Sequence, residues 1–164
     1  MSLINGLPAH VLLVHFVVVL VPLSALALVV CAVWPQGARR LGLTLPLLAL
    51  VTLVCVPLTT QAGEWLQRHE GNDPLIRRHA ELGDGLLPWA LGLFVLAAGV
   101  WWLSRRTPAQ DGQARSGSAL RIAAAVLSVV VAAGAVVDVY RIGDSGAKAA
   151  WQSSFSKTET GGKG

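Results

Sequence analysis

The chain has 164 residues, of which 54% are hydrophobic and 13% are charged. Soluble domains carry roughly 25% charged residues, so 13 Lys and Arg with 9 Asp and Glu are too few to cover a water-soluble surface of this size. This composition excludes an ordinary soluble enzyme domain, a disordered chain and a disulfide-rich secreted module, and it indicates an integral membrane protein.

Four apolar segments follow one another along the chain, each close to the roughly 20 residues that a helix needs to cross a bilayer. The predicted spans are residues 11–33, 41–60, 80–103 and 120–139. Strands of a membrane barrel would alternate apolar and polar residues over about ten positions, whereas these segments are continuously apolar. The sequence therefore predicts an all-α integral membrane fold, a four-transmembrane-helix bundle formed by residues 1–151.

The end of the chain differs in composition from the spans. The last predicted helix carries small residues, with Ser128 and Ala132 four positions apart, a spacing that lets helix backbones approach closely. Residues 152–164 are polar and contain three glycines. We expect them to form a disordered tail.

The connections between the spans predict an orientation. Residues 34–40 and 104–121 carry six arginines and one acid, whereas the other side of the membrane carries eight of the nine acids. The totals of Lys and Arg are nearly equal, but the arginines crowd helix ends on short loops, which is typical of the cytoplasmic side. We expect a multi-pass protein of the inner (plasma) membrane with both termini outside. The lipid bilayer is its expected partner, and the scattered basic residues indicate no nucleic-acid binding.

All four histidines fall on the predicted outer side. His10 precedes the first predicted helix, His15 lies about one turn inside it, and His79 lies before the third span, where Asp73-Pro74 predicts a helix start. Ionisable groups at or within a membrane are candidates for a functional site. Bis-histidine ligation of haem needs only one histidine from each of two facing helices. His10 or His15 together with His79 are therefore candidate ligands for haem b or for a metal.

Further polar residues lie on the same side, at the end of the last span: Asp138, Tyr140, Arg141 and Asp144. The chain has no His-Glu-x-x-His and no Cys-x-x-Cys, so the common zinc signatures are excluded. It also has no nucleophile elbow and no phosphate-binding loop. We name no catalytic residue, and we expect a protein without enzymatic activity more than an enzyme.

Three segments resemble the domain of unknown function 2231 family of prokaryotic four-helix membrane domains. Gly6–Phe16 reads Gly-Leu-Pro-Ala-His-Val-Leu-Leu-Val-His-Phe and departs from the usual family opening at Val11, where proline is common. His79 matches a histidine that the family tends to carry before the third helix. Val139–Trp151 resembles a family ending with a Gly-His-Ser-Gly-Ala core, and Asp144 stands where histidine is expected. The resemblance covers roughly residues 4–151, and the departure at Asp144 weakens any ligand role there.

The resemblance implies four membrane helices and a histidine-bearing outer face, and it implies no particular reaction. Some relatives join such a domain to Rieske-type iron–sulfur modules, which implies a redox setting with other membrane or redox proteins as partners. A small transporter or channel is disfavoured, because the spans hold almost no buried charge and no inverted repeat is visible. Two other functions are favoured at this point. The first is an accessory or structural membrane subunit whose outer face docks a partner. The second is a haem-binding or redox-associated membrane domain with bis-histidine ligation.

Overall fold

The computed structural model describes the backbone of residues 3–4, 7–70, 74–105 and 114–160, and the side chains of residues 10, 12–64, 74–105, 118–148 and 151. Within these ranges the chain is almost entirely helical. The helices are α1 (Ala9–Val33), α2 (Pro35–Leu41), α3 (Thr44–Glu70), α4 (Pro74–Asp84), α5 (Leu86–Arg105) and α6 (Ala114–Thr160). Before them, β1 (Leu3–Ile4) pairs antiparallel with β2 (Leu7–Pro8), with Leu3 opposite Pro8 and Ile4 opposite Leu7.

Four helical segments of the described chain are long and apolar enough to cross a membrane. They are Leu12–Val33, Thr44–Glu64, Pro74–Arg105 and Ser118–Lys148. The predicted all-α fold with four transmembrane helices is confirmed. The third and fourth segments extend past the predicted spans, because a helix continues outside the hydrocarbon layer wherever its backbone hydrogen bonds continue, whatever the polarity of its side chains.

The third segment consists of α4 and α5, separated by one residue. Helix α4 begins at Pro74, the position predicted from Asp73-Pro74; Asp73 itself lies outside the described residues. At Gly85 the backbone N–H bonds the Leu82 carbonyl oxygen at 3.1 Å, a tight turn, and α5 then begins. A Cβ at residue 85 would lie 3.2 Å from that same carbonyl oxygen, so the turn suits glycine.

Helix α6 is longer than the sequence predicts. It runs for 47 residues to Thr160, whereas we expected a disordered tail from residue 152. The segment 147–160 contains neither glycine nor proline, and two consecutive glycines follow it. Polar residues with adequate helix propensity can therefore extend the helix until Gly161. Residues 161–164 of the predicted tail lie outside the described residues.

The four long helices pack in a ring in which α1 contacts α3 and α6, and α5 contacts the same two helices. The centre of the ring is built from small and medium side chains that are completely buried, among them Val21, Thr52, Leu93, Ser128 and Ala135. The outer surface is apolar as well: Phe16, Leu26, Val95 and Ile122 are among the exposed side chains. An apolar surface around a closely packed interior is the arrangement expected of a bundle in lipid.

A hydrogen bond between two hydroxyl groups joins α1 to α3 inside the bundle. The Oγ of Ser24 lies 2.7 Å from the Oγ1 of Thr52, and both residues are buried. Because Thr52 donates its own proton to the Leu48 carbonyl oxygen at 2.9 Å, Ser24 is the donor to Thr52. Interhelical hydrogen bonds of this kind contribute about 0.6 kcal/mol on average in a membrane protein.

Candidate functional site

The ionisable side chains that the structure describes gather at the two ends of the bundle. We call one the histidine end: the first turn of α1, the neighbouring part of α3, all of α4, and residues 138–148 of α6. We call the other the arginine end; its charged residues are Arg39, Arg40, Arg105 and Arg121. The histidine end holds His10 and His79 together with all the acids whose side chains are described, namely Glu64, Glu81, Asp84, Asp138 and Asp144.

His10, in the first turn of α1, is held by α3. Its Nδ1 lies 3.0 Å from the carbonyl oxygen of Thr59. A carbonyl oxygen only accepts, so Nδ1 carries the proton, and in the neutral ring the lone pair is on Nε2. Gly63 lies against the ring: a Cβ there would come within 3.0 Å of His10 Cε1. The ring can therefore approach the α3 backbone because residue 63 has no side chain.

His79, on α4, is held by α6 in the same way. Its Nδ1 lies 3.1 Å from the Ile142 carbonyl oxygen and 3.0 Å from Ser145 Oγ. Ser145 donates its own proton to the Ile142 carbonyl oxygen at 2.7 Å, so the proton shared by the two acceptors belongs to Nδ1. Nε2 of the neutral ring again keeps its lone pair. Gly146 lies against the ring, where a Cβ would come within 3.0 Å of His79 Cε1.

The two rings meet. Their centroids are 6.2 Å apart and their planes are inclined at 84°. The sequence left open whether His10 or His15 pairs with His79, and in the structure the ring contact is made by His10. His15 lies five residues further along α1 with an exposed side chain. Five residues turn a helix by about 140°, so His10 and His15 lie on different faces of α1.

The other predicted site residues lie along α6 and differ in their surroundings. Asp138 lies beside the α4–α5 turn, and its Oδ2 is buried with no hydrogen-bond partner among the described residues. Tyr140 is 74% exposed, and Arg141 is exposed as well. Asp144 accepts from Lys148 Nζ at 2.7 Å on the surface. Of these four residues, only Asp138 points into the protein and has a buried polar atom.

The sequence did not predict the groups that hold the histidines. The two carbonyl acceptors, at Thr59 and Ile142, leave no signal in a sequence because every residue has a carbonyl group. Ser145 and Gly146 belong to the segment that resembles the family ending, and a role for them could have been sought there. Gly63 gives no comparable signal, since an isolated glycine in an apolar helix has many explanations.

The part of the chain that the structure describes contains no group of three or more His, Cys, Asp or Glu side chains arranged to hold a metal ion. The donor set at the histidine end is therefore a pair of imidazoles, each with its Nδ1–H engaged by a backbone carbonyl. Such a pair suits a ligand that needs two nitrogen donors from the protein.

The comparisons with known proteins agree with this architecture. The family model of DUF2231, described as a predicted membrane protein, matches residues 6–159. The comparisons with curated proteins and with solved structures found no match. Because the matched region contains all four membrane segments and both histidines of the pair, the chain belongs to the DUF2231 family of predicted membrane proteins.

Proposed function

We propose that the protein is a multi-pass membrane domain that binds haem b through His10 and His79 and serves other membrane or redox proteins. The observation that carries this proposal is the ring pair at the histidine end, in which two rings from different helices lie 6.2 Å apart. Haem held by two histidines supports one-electron transfer.

His10 and His79 would hold the iron of such a group through Nε2, because the Nδ1 of each ring is bonded to a backbone carbonyl. One group can reach a nitrogen of each ring only if the two ring centroids lie close together. The observed distance is 6.2 Å.

The contacts behind the two rings favour the same function. Histidines that ligate a metal almost always donate their other N–H to a carbonyl or carboxylate, which sets the tautomer and the ring orientation. Here Thr59 and Ile142 supply those carbonyls from α3 and α6. Arg78 and Arg141, both exposed at the histidine end, supply cations suited to the haem propionates.

The absorbance spectrum of the detergent-purified protein tests this proposal. We expect a Soret band at roughly 410–430 nm with iron bound at one atom per chain. His10→Ala and His79→Ala should each abolish the band. His15→Ala, on the same helix but on another face, is the matched control and should keep it. A protein that stays colourless and free of iron after expression with added haem would overturn the proposal.

An accessory or structural subunit is the second candidate function, and α6 favours it. This helix continues 22 residues beyond Asp138, about 33 Å of helix rise, and carries the exposed aromatic residues Tyr140 and Trp151. Exposed aromatic residues are common anchors of protein interfaces. A truncation after Lys148 should reduce the size of the native membrane complex while the absorbance is kept. An unchanged complex would exclude docking through this part of α6.

We infer further that the arginine end faces the cytoplasm of the inner membrane, with both termini outside. Arg39, Arg40 and Arg105 lie in the last turns of α2 and α5, and Arg121 lies about two turns inside α6. Arginines close to the ends of membrane spans orient membrane helices most strongly. A C-terminal alkaline phosphatase fusion should be active, and a C-terminal fluorescent-protein fusion should be dark. The reverse pattern would overturn this orientation.

A further inference from the structure

We propose that the arginine end contains a binding site for the phosphate headgroup of an anionic lipid, independent of the haem proposed at the histidine end. The site is a crevice where α1, α2, α5 and α6 meet. Cys31, Ala38, Leu103, Ser104 and Arg121 are among its lining residues. It combines apolar walls with one guanidinium group, which matches a molecule that is apolar along its length and anionic at its head.

Arg121 is the group in the crevice that would bind the phosphate. Its side chain is exposed, so the guanidinium is accessible for bidentate hydrogen bonds. Ser104 also lines the crevice, but its hydroxyl donates to the Trp101 carbonyl oxygen at 2.6 Å and keeps only acceptor lone pairs. An anion therefore depends on Arg121 for its donors.

Neighbouring arginines strengthen the attraction for an anion. The guanidinium carbon of Arg105 lies 4.7 Å from the Trp101 ring centroid, and that of Arg40 lies 6.0 Å from the Trp34 ring centroid. A guanidinium over an indole face keeps the N–H groups at its edge available. The side chains that the structure describes at this end include four arginines and no acid, and the sequence adds Arg106, Asp111 and Arg115, whose side chains lie outside the described residues. The end therefore carries a net positive charge.

The surroundings favour a lipid over free phosphate. Large apolar side chains next to the crevice are exposed on the surface of the bundle: Val33, Trp102, Leu120 and Ile122. These residues belong to the ends of α1, α5 and α6, where the bundle surface meets the headgroup layer. Basic pockets between membrane helices on the cytoplasmic side suit anionic headgroups for the same reason.

Native mass spectrometry of the protein released from nanodiscs tests this site, with phosphatidylglycerol and phosphatidylcholine as the two probes. We expect phosphatidylglycerol to be retained and phosphatidylcholine to be lost. Arg121→Gln should reduce the retention of phosphatidylglycerol about five-fold. Arg77→Gln, which removes an exposed arginine from the histidine end, is the matched control and should leave retention unchanged.

Three results would overturn the proposal. The first is equal retention of the two lipids. The second is an equal loss of phosphatidylglycerol in both arginine variants, which would indicate a general charge effect. The third is complete displacement of phosphatidylglycerol by inorganic phosphate at equimolar concentration, which would make the site one for free phosphate. Because Arg121 is exposed, Arg121→Gln is expected to fold, and an unchanged melting temperature checks this.

Discussion

The two ends of the bundle have the same number of described cations and use them differently. The arginine end has Arg39, Arg40, Arg105 and Arg121 with no described acid, whereas the histidine end has Arg77, Arg78, Arg141 and Lys148 with five acids. At the histidine end, side chains bond to backbone groups of neighbouring helices and to one another. At the arginine end, guanidinium groups lie over indole rings and remain open to an outside ligand. One end is therefore organised inward by hydrogen bonds, whereas the described charged side chains of the other end are all cationic and exposed.

The largest expected effect comes from a contact between α5 and α6 about one turn inward from the histidine end. A Cβ at Gly134 would overlap the ring of Trp89, so Gly134→Ala forces α5 and α6 apart. We expect the free energy of unfolding in an SDS titration to fall by about 2–3 kcal/mol. Gly99→Ala is the control, because a Cβ there meets nothing within 4 Å. Equal stability of the two variants would show that residue 134 does not pack tightly against Trp89.

A smaller effect, confined to the histidine end, is expected at Gly146. A Cβ there would lie 3.0 Å from His79 Cε1, so Gly146→Ala displaces the ring from its two acceptors. We expect haem affinity to fall at least about ten-fold, as for other contacts behind a metal ligand. Gly143→Ala, one turn earlier and with nothing near its Cβ, should keep full affinity. Unchanged retention of anionic lipid in both variants would show that lipid binding at the arginine end does not depend on the histidine end.

The smallest effects are expected for two aspartates of α6. Their substitutions should change the free energy of unfolding in opposite directions. Folding takes Asp138 Oδ2 out of water without a hydrogen-bond donor among the described residues, which opposes folding when the group is charged. Asp138→Asn should therefore raise the free energy of unfolding at pH 8 by about 1 kcal/mol. Asp144→Asn removes an exposed pair with Lys148 and should lower it by about 0.3–0.5 kcal/mol. Thermal unfolding in detergent measures both, and a loss of stability in Asp138→Asn would show that its carboxylate has a partner.

Much of the fold could be predicted because a membrane span is a local property of the sequence. Apolar runs of sufficient length are enough to predict four crossing helices, and Asp73-Pro74 predicted where α4 begins. The length of α6 could not be predicted from polarity, since polar residues without glycine or proline can continue a helix after it leaves the membrane.

The candidate site was predictable only in part. The sequence gathers the histidines on one side of the membrane, yet the choice between His10 and His15 depends on how α1 is rotated about its axis. That rotation is set by packing: α3 has no side chain at Gly63, and the His10 ring lies against its backbone there. Tertiary packing of this kind leaves no pattern along the chain.

The continuity of α6 has a mechanical consequence. Arg121, at the crevice, and Ile142, which holds His79, are separated by about 30 Å of one unbroken helix. A continuous hydrogen-bonded helix resists stretching along its axis. An axial displacement of α6 at one membrane face would therefore produce nearly the same displacement at the other face. His10, on α1, is bonded to α3 and not to α6. A shift of α6 relative to α3 would therefore move only one of the two backbone carbonyls that hold the histidines.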